Sequence, residues 1–239
     1  MRQVDAVIWD FDNTLVDTGA RNLSVTRRLV THITGRHPDE FPMLRGRESY
    51  ERTLHRTLDW QTFYAEQFGM EPDQIRLAGR LWTEFQLADG TPTRWFEGVR
   101  ETIETLSHLP QGIVSLNTRD NIEANLDEGR MRDAFGAVIG CGEVPPDRQK
   151  PSPDGLMACV EMLCGDAAGL VVYIGDHPVD AECAREADRG YARAGRAVRV
   201  VSIGAAYGTA VPDAPWSVEP LHTASSPSDI PAILASLAS

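Results

Sequence analysis

Lysine is almost missing from this chain. Of its 23 basic residues 22 are arginine, and the one lysine is Lys150. An ammonium is a compact point charge and a guanidinium a planar fork, so a site built for the first does not accept the second. A chain that avoids lysine everywhere else and keeps it once marks that position. Cysteine is scarce as well. Cys141, Cys159, Cys164 and Cys183 match no zinc-ligand spacing and indicate no oxidising compartment. They read as reduced thiols, with Cys159 and Cys183 as small helix residues. No apolar run approaches the roughly 20 residues that cross a bilayer, and no basic segment followed by an apolar stretch and a cleavage site is visible. The expectation is a cytoplasmic protein without a membrane partner, monomer or homodimer. Positive charge is also in deficit, 23 basic against 35 acidic residues for a net charge of -12, which argues against a nucleic-acid backbone as partner. Repeats and low-complexity tracts are lacking.

What is present is an ordinary globular composition, 239 residues with 42% apolar content, enough for one large domain or two unequal ones. The organising stretch comes first. Val4 to Trp9 is a short apolar run rich in β-formers, and it ends abruptly in Asp10-Phe11-Asp12-Asn13-Thr14-Leu15. Such a run reads as a buried strand of a parallel sheet, and in open α/β sheets the ligand lies off the carboxyl ends of the strands. Asp10 and Asp12 then sit where chemistry is done, with Phe11 pointing the other way. Two carboxylates so close repel each other unless a cation or a shared proton intervenes. Mg²⁺, which favours oxygen ligands and phosphate substrates, suits the place. The plainer alternative is a strand followed by an acidic turn at Asn13.

After Asp17 the periodicity becomes helical and stays so to about Ala88. Leu23 to Ile33 form one segment closed by Gly35 and Pro38. Tyr50, Leu54 and Leu58 mark a second, Phe63 to Phe68 a third ended by Gly69, and Ile75 to Leu87 a fourth. Ala88 to Thr93 reads as a linker. Residues 18–91 are therefore expected to be a helical cap inserted after the first strand, and residues 1–17 with 92–239 an α/β core. In that core the sequence predicts a helix over 99–109, a strand over 112–116, and a following helix capped by Asp120. Further on it predicts a strand over 137–140, a helix over 154–164 and a strand over 170–174. A helix from Pro178 to about Asp188, a strand over 197–201, a loop over 204–220 and a terminal helix over 230–237 complete the chain. Residues 190–220 receive no role. Alternating strands and helices imply right-handed crossovers and a Rossmann-like parallel sheet.

The carboxyl ends of the expected strands carry Asp10 and Asp12, then Ser115 with Asn117 and Thr118 just beyond, then Lys150 in a loop, then Asp176 with Asp180 one helical turn later. An Asp carboxylate attacks phosphorus to form an aspartyl-phosphate. A second carboxylate two residues on protonates the leaving oxygen and later activates water. Ser115, Asn117 and Lys150 suit the remaining phosphoryl oxygens, and Mg²⁺ held by the strand-one and strand-four carboxylates offsets their repulsion from the phosphate.

This constellation resembles the haloacid dehalogenase superfamily. Asp10 to Leu15 looks like its first motif, Ser115 like its second, Lys150-Pro151-Ser152-Pro153-Asp154 like its third, and Gly175-Asp176-His177-Pro178-Val179-Asp180 like its fourth. The helical insertion resembles a cap of the phosphoglycolate phosphatase type. The resemblance implies Asp10 as nucleophile and Asp12 as acid/base. It places Asp10, Asp176 and the main-chain carbonyl of Asp12 on Mg²⁺, with Asp180 supporting the metal. It also implies hydrolysis of a phosphate ester, because Asp12 stands where phosphonatases and dehalogenases carry alanine or tyrosine. The second motif departs from the pattern, since Leu116 separates Ser115 from Asn117, and Thr118 is the alternative hydroxyl if the strand runs longer. The expected substrate is a small phosphorylated metabolite, with Arg21, Arg45, Arg47, Arg119 and His177 as candidate contacts. A phosphomutase and a non-catalytic phosphate-binding protein of the same fold are the competing readings. Replacing Lys150 by Met is expected to leave stability little changed.

Overall fold

The computed structural model describes residues 3–57, 59–165 and 169–237. Its centre is a six-stranded parallel sheet. The strands are β1 (Val4–Trp9), β4 (Gln111–Val114), β5 (Ala137–Ile139), β6 (Leu170–Gly175), β7 (Arg199–Ala205) and β8 (His222–Ala224), in the order β5-β4-β1-β6-β7-β8. All neighbours in it are parallel. β1 and β6 are near-continuous apolar runs because both faces of the sheet are covered. On one face Trp9, Val172 and Ile174 pack with Ile103 of α5 (Val99–Thr105), Ile122 of α6 (Arg119–Gly129) and Leu234 of α9 (Ile230–Leu237). On the other, Ile8, Val171 and Tyr173 meet Leu156 and Cys159 of α7 (Asp154–Cys164) and Cys183 and Tyr191 of α8 (Pro178–Arg193). Trp9 is fully buried, and its indole N–H donates to Gln111 Oε1 at 3.0 Å, so its polar edge is satisfied.

Several element boundaries differ from the sequence reading. β4 ends at Val114, so Ser115 lies just past it rather than inside it. α5 stops at Thr105, short of Leu109. Asp120 does not cap α6, because Thr118 occupies the capping position and Asp120 falls in the first turn. α8 continues to Arg193, since Ala187 and Tyr191 prolong its buried stripe. β7 starts later than expected and runs through Gly204 to Ala205. The three-residue β8 lies just beyond the stretch read as loop.

The insertion holds α1 (Gly19–Thr34), α2 (Arg47–Leu54), α3 (Trp60–Phe68) and α4 (Pro72–Leu87). Leu58, expected in the second helix, lies outside the described residues. These helices share an aromatic core of Phe41, Tyr50, Phe63, Tyr64 and Phe68 with Val30, Leu44 and Met70. Among the described residues none of 18–91 enters the six-stranded sheet. The two chain crossings pair with each other. β2 (Val16–Asp17) runs antiparallel to β3 (Arg94–Trp95), a ribbon too short to show in the sequence.

α2 seats the insertion on the sheet domain. Glu51, buried, accepts from the Thr209 hydroxyl at 3.0 Å and the Ala210 amide at 2.5 Å. Leu54 O meets His177 Nε2 at 3.1 Å. The His55 ring lies 5.0 Å from His177 and 6.0 Å from Trp216. The stretch after β7, expected only as a loop, thus forms half of this seam. At Gly208 it presses so closely on Asn13 that a Cβ would collide with the Asn13 carbonyl oxygen.

Burial at this seam, with His177 alongside, pushes the His55 imidazole down to about 3. The folded chain therefore refuses a proton that the unfolded chain accepts near 6.5, and stability present above that pH is lost as pH falls toward 3. One such proton changes stability by up to about 1.4 kcal/mol per pH unit. Urea denaturation at pH 7 and pH 5 is expected to show the native protein losing about 1–2 kcal/mol more than His55→Leu over that interval; equal losses would remove His55 from the acid response.

Candidate active site

Every strand end predicted to carry chemistry meets at the carboxyl edge of β4, β1 and β6. Asp10 continues β1 by donating its amide to Ile174 O at 2.7 Å. The chain then turns on itself, with Leu15 and Val16 amides donating to Phe11 O at 3.0 and 3.2 Å. Phe11 is driven fully into the core, which sends the two flanking carboxylates the other way. Asn13 adopts φ 56°, a left-handed conformation that asparagine tolerates better than most residues, and its Oδ1 accepts from the Thr18 amide at 3.2 Å.

Beyond β4 the Ser115-Leu116-Asn117 departure resolves into two adjacent polar groups. The Asn117 amide N–H donates to Ser115 Oγ at 3.2 Å. The Asn117 side chain donates through Nδ2 to Asp12 Oδ2 at 3.0 Å, while its Oδ1 accepts from Thr118 N at 2.8 Å and Asn121 Nδ2 at 3.0 Å. Asn117 is therefore locked, and it locks Asp12 in turn. Ser115 lines a small cleft together with Gln149, Lys150 and Ser152, and Thr118 does not.

Lys150 Nζ donates to Asp10 Oδ1 at 2.5 Å and to Asp180 Oδ1 at 2.7 Å, and its side chain is only 5% exposed. Asp180 is the third residue of α8. Its Oδ2 accepts the His177 amide at 3.1 Å, and its Oδ1 also accepts from the Tyr173 hydroxyl at 3.1 Å. Gly175 makes room, since a Cβ there would strike the Asp180 carboxylate. Asp10, Asp176 and Asp180 each offer an oxygen within 4.8 Å of the others. The Asp12 carboxylate stands outside that cluster, tied to Asn117 through Oδ2, with Oδ1 buried and without a hydrogen-bond partner.

Charge in this cluster is unbalanced. Burial, with Asp180 and Asp12 nearby, pushes Asp10 up to about 7 despite the pull of Lys150. Burial and the charges of Asp10 and Asp180 hold Asp176 well above the carboxylate range. Burial also raises Asp12, against the Thr18 hydroxyl and the Asn117 amide. Burial alone would lower Lys150, but Asp10 and Asp180 outweigh it and fix the ammonium in its charged form. Three buried carboxylates sharing one ammonium call for further positive charge, and an all-oxygen donor set fits a hard divalent cation.

The other predicted residues separate. Arg21 is half-buried, donates through Nε to Thr91 O at 3.0 Å, and its charge is felt at Asp12. Arg45 is not brought to the rim, being exposed with Nε and Nη2 on Asp39 O. Arg119 likewise points outward to Glu123. Arg47 is spent on Asp17 at 2.8 Å and Glu51 at 2.5 Å. His177 is committed on both nitrogens, Nδ1 accepting from Val179 N and Nε2 meeting Leu54 O, so it joins α8 to α2 instead of facing a substrate. Sequence reasoning missed Tyr173 and Glu51. The one available signal was a polar-tipped Tyr173 inside an aliphatic strand.

The family model for haloacid dehalogenase-like hydrolases matches residues 7–193. A phosphoglycolate phosphatase of Synechococcus elongatus is 29% identical over 187 residues, covering 77% of this chain and 80% of that one. Among solved structures, a candidate phosphoglycolate phosphatase from Lactobacillus plantarum superposes with a TM-score of 0.76 at 18% identity, covering 97% of this chain and 100% of the other. A haloacid dehalogenase-like family hydrolase from Streptococcus pneumoniae gives 0.71 at 18% identity, covering 98% and 99%. At those identities the two structures speak for the fold.

The ion pairs reverse the expectation that Lys150→Met leaves stability unchanged. Removing the ammonium leaves Asp180 a buried carboxylate without its cation and forces Asp10 to take up a proton, a loss on the order of 3–5 kcal/mol. Chemical denaturation of the metal-free protein at pH 7 is expected to show that loss; a stability equal to the native protein's would mean the carboxylates take up protons without cost.

Proposed function

The chain belongs to the haloacid dehalogenase-like hydrolase family, and we propose that it is a Mg²⁺-dependent phosphatase acting on a small phosphorylated metabolite of the phosphoglycolate type through an aspartyl-phosphate on Asp10. The observation that carries this reading is the convergence of Asp10, Lys150, Asp176 and Asp180 at one sheet edge, with Asp12 held beside them by Asn117. Asp10, Asp176 and the main-chain carbonyl of Asp12 would hold the metal. Asp180, whose oxygens are already engaged by Lys150, Tyr173 and the His177 amide, supports it from behind. When bound, Mg²⁺ supplies the positive charge that lets a phosphoryl group approach these carboxylates.

The chain's own residues then divide the work. Lys150, Ser115 and Asn117 hold phosphoryl oxygens so that the Asp10 carboxylate lies in line with phosphorus. As the Asp10–phosphorus bond forms and the ester bond breaks, the leaving oxygen takes a proton from Asp12. Burial favours the protonated form of Asp12, and its Oδ1 is the oxygen left free to carry that proton. In the second half Asp12 accepts a proton from water as the water oxygen attacks phosphorus, phosphate departs, and the Asp10 carboxylate is restored.

Residues 18–91 act in this proposal as a cap that shuts water out, with the chain near Asp17 in the β2–β3 ribbon and the linker near Gly90 as its hinges. Arg21 is the preferred contact for a substrate carboxylate, because its charge is felt at Asp12 and its Nε on Thr91 O holds it at the base of the insertion; an arginine fork suits a carboxylate. The four cysteines are free thiols, which favours a cytoplasmic setting.

Phosphate release over a panel of small phosphorylated acids, sugars and alcohols is expected to require Mg²⁺ and to stop with EDTA. Asp10→Asn should abolish turnover and Asp12→Asn should slow it about a hundredfold or more. Near-normal release by Asp10→Asn sinks the mechanism. Arg21→Met should raise KM for carboxylated substrates about tenfold and leave neutral ones nearly alone, and a uniform effect would remove Arg21 from recognition. Lys150→Arg keeps the charge and loses the compact geometry, so kcat should fall at least roughly tenfold.

A further inference from the structure

Tyr173 is the fourth residue of β6 and is fully buried. Its ring packs with Ile8 and Cys183 in the core, and phenylalanine would fill the same space. The hydroxyl goes further than packing needs. It lies 2.9 Å from Val114 O at the end of β4 and 3.1 Å from Asp180 Oδ1. β1 stands between β4 and β6, so the side chain passes across the strand that ends in Asp10. Asp180 Oδ1 is the same oxygen that accepts from Lys150 Nζ, and that ammonium stands 5.5 Å from the Tyr173 ring centroid. One hydroxyl proton therefore faces two acceptors, one in the second motif's strand and one in the fourth motif's helix.

We propose that Tyr173 is a positioning residue whose hydroxyl proton passes between Val114 O and Asp180 Oδ1, keeping Asp180 supplied with a donor when Lys150 turns to the phosphoryl group. The inference rests on the phosphoryl-transfer reading of the site. In the resting arrangement Lys150 serves Asp10 and Asp180 at once. Once Asp10 becomes an aspartyl-phosphate, its bonded oxygen no longer carries carboxylate charge and the phosphoryl oxygens do, so the ammonium follows them. Asp180 is then a buried carboxylate with a weakened partner, which is costly. Rotation about the Tyr173 C–O bond delivers the hydroxyl proton to Oδ1 with no other atom moving. Asp180 stays in place, and Lys150 has a fixed point to return to when phosphate leaves. No covalent bond changes at Tyr173.

The single lysine makes the test direct, because lysine-selective ¹⁵N labelling gives one side-chain ammonium signal. In Tyr173→Phe without substrate, exchange of the Lys150 ammonium protons with water is expected to quicken at least about tenfold, since Asp180 is held less firmly. With substrate, kcat should fall on the order of tenfold while KM stays within about twofold. In a Lys150→Arg background, Tyr173→Phe should add little, because both act through one network. Unchanged ammonium exchange, or losses that multiply in the double variant, would overturn the proposal and leave Tyr173 a core residue. Absence of phosphate release by the native protein would count against the functional reading alone, since the exchange measurement needs no turnover. Should Tyr173→Phe not fold, the native protein carries the test: Mg²⁺ with vanadate must shift the Tyr173 signals together with that of Lys150, and a Tyr173 unmoved while Lys150 shifts overturns it.

Discussion

Buried like charge is the constraint from which the rest of the structure follows. Three carboxylates, Asp10, Asp176 and Asp180, are packed within 4.8 Å of one another with Lys150 as the ammonium between them. Such a cluster stands only if its surroundings over-determine it. The sheet contributes most of that rigidity, since β1 and β6 are adjacent, in continuous register from Ala6 to Trp9, and covered on both faces. α8 adds the rest. Pro178 opens it at its first position and Asp180 closes back on the His177 amide, so the acidic group sits at the positive end of a helix. Asp12 is held apart from the cluster by Asn117, whose side-chain amide fixes its Oδ2 while burial raises its carboxyl.

The same economy governs the seam between the helical insertion and the sheet. A chain of charges, Arg94 to Asp17 to Arg47 to Glu51, runs from the β2–β3 ribbon up to α2. Glu51 then hands its second oxygen to Thr209 and Ala210. The insertion is thus fastened both where it leaves the sheet domain and where α2 lands on it. The landing site belongs to the stretch after β7, which lies close over Asn13 and Asp176 at Gly208. A residue at the entrance to the site and a residue on the far side of the seam are therefore linked by only a few contacts.

The sequence made the central chemistry legible because strand ends and acidic motifs coincide. An apolar run that stops at Asp10, another that stops at Asp176, and a lysine kept once in 239 residues locate the cluster without coordinates. The parallel sheet followed from the alternation of elements. What stayed hidden has physical causes. β2 and β3, two residues each, are too short for any periodicity to register, and β8, His222-Thr223-Ala224, lacks the apolar run that revealed the equally short β5. Side-chain direction cannot be read from identity, so Arg45 and Arg119 looked as plausible as Arg21 until their partners Asp39 and Glu123 were seen. Glu51 sits in a helix rich in charged residues, where a buried carboxylate resembles a solvated one. Asp120 had the chemistry of a cap but stood two residues too late, because α6 begins as soon as the chain clears Asn117.

Trp216 gives the seam a property of its own. Its ring packs over Gly204 on β7 and meets His55 of the insertion edge-on at 6.0 Å. Trp9 lies sealed in the sheet core, Trp60 and Trp82 belong to the insertion, and Trp95 rests on Gly129. Trp216 is the indole whose neighbours come from both sides. Indole emission depends on the polarity around the ring, so the packing of insertion against sheet is reported in light at this single residue. The seam carries an optical reporter of its own, with no label attached.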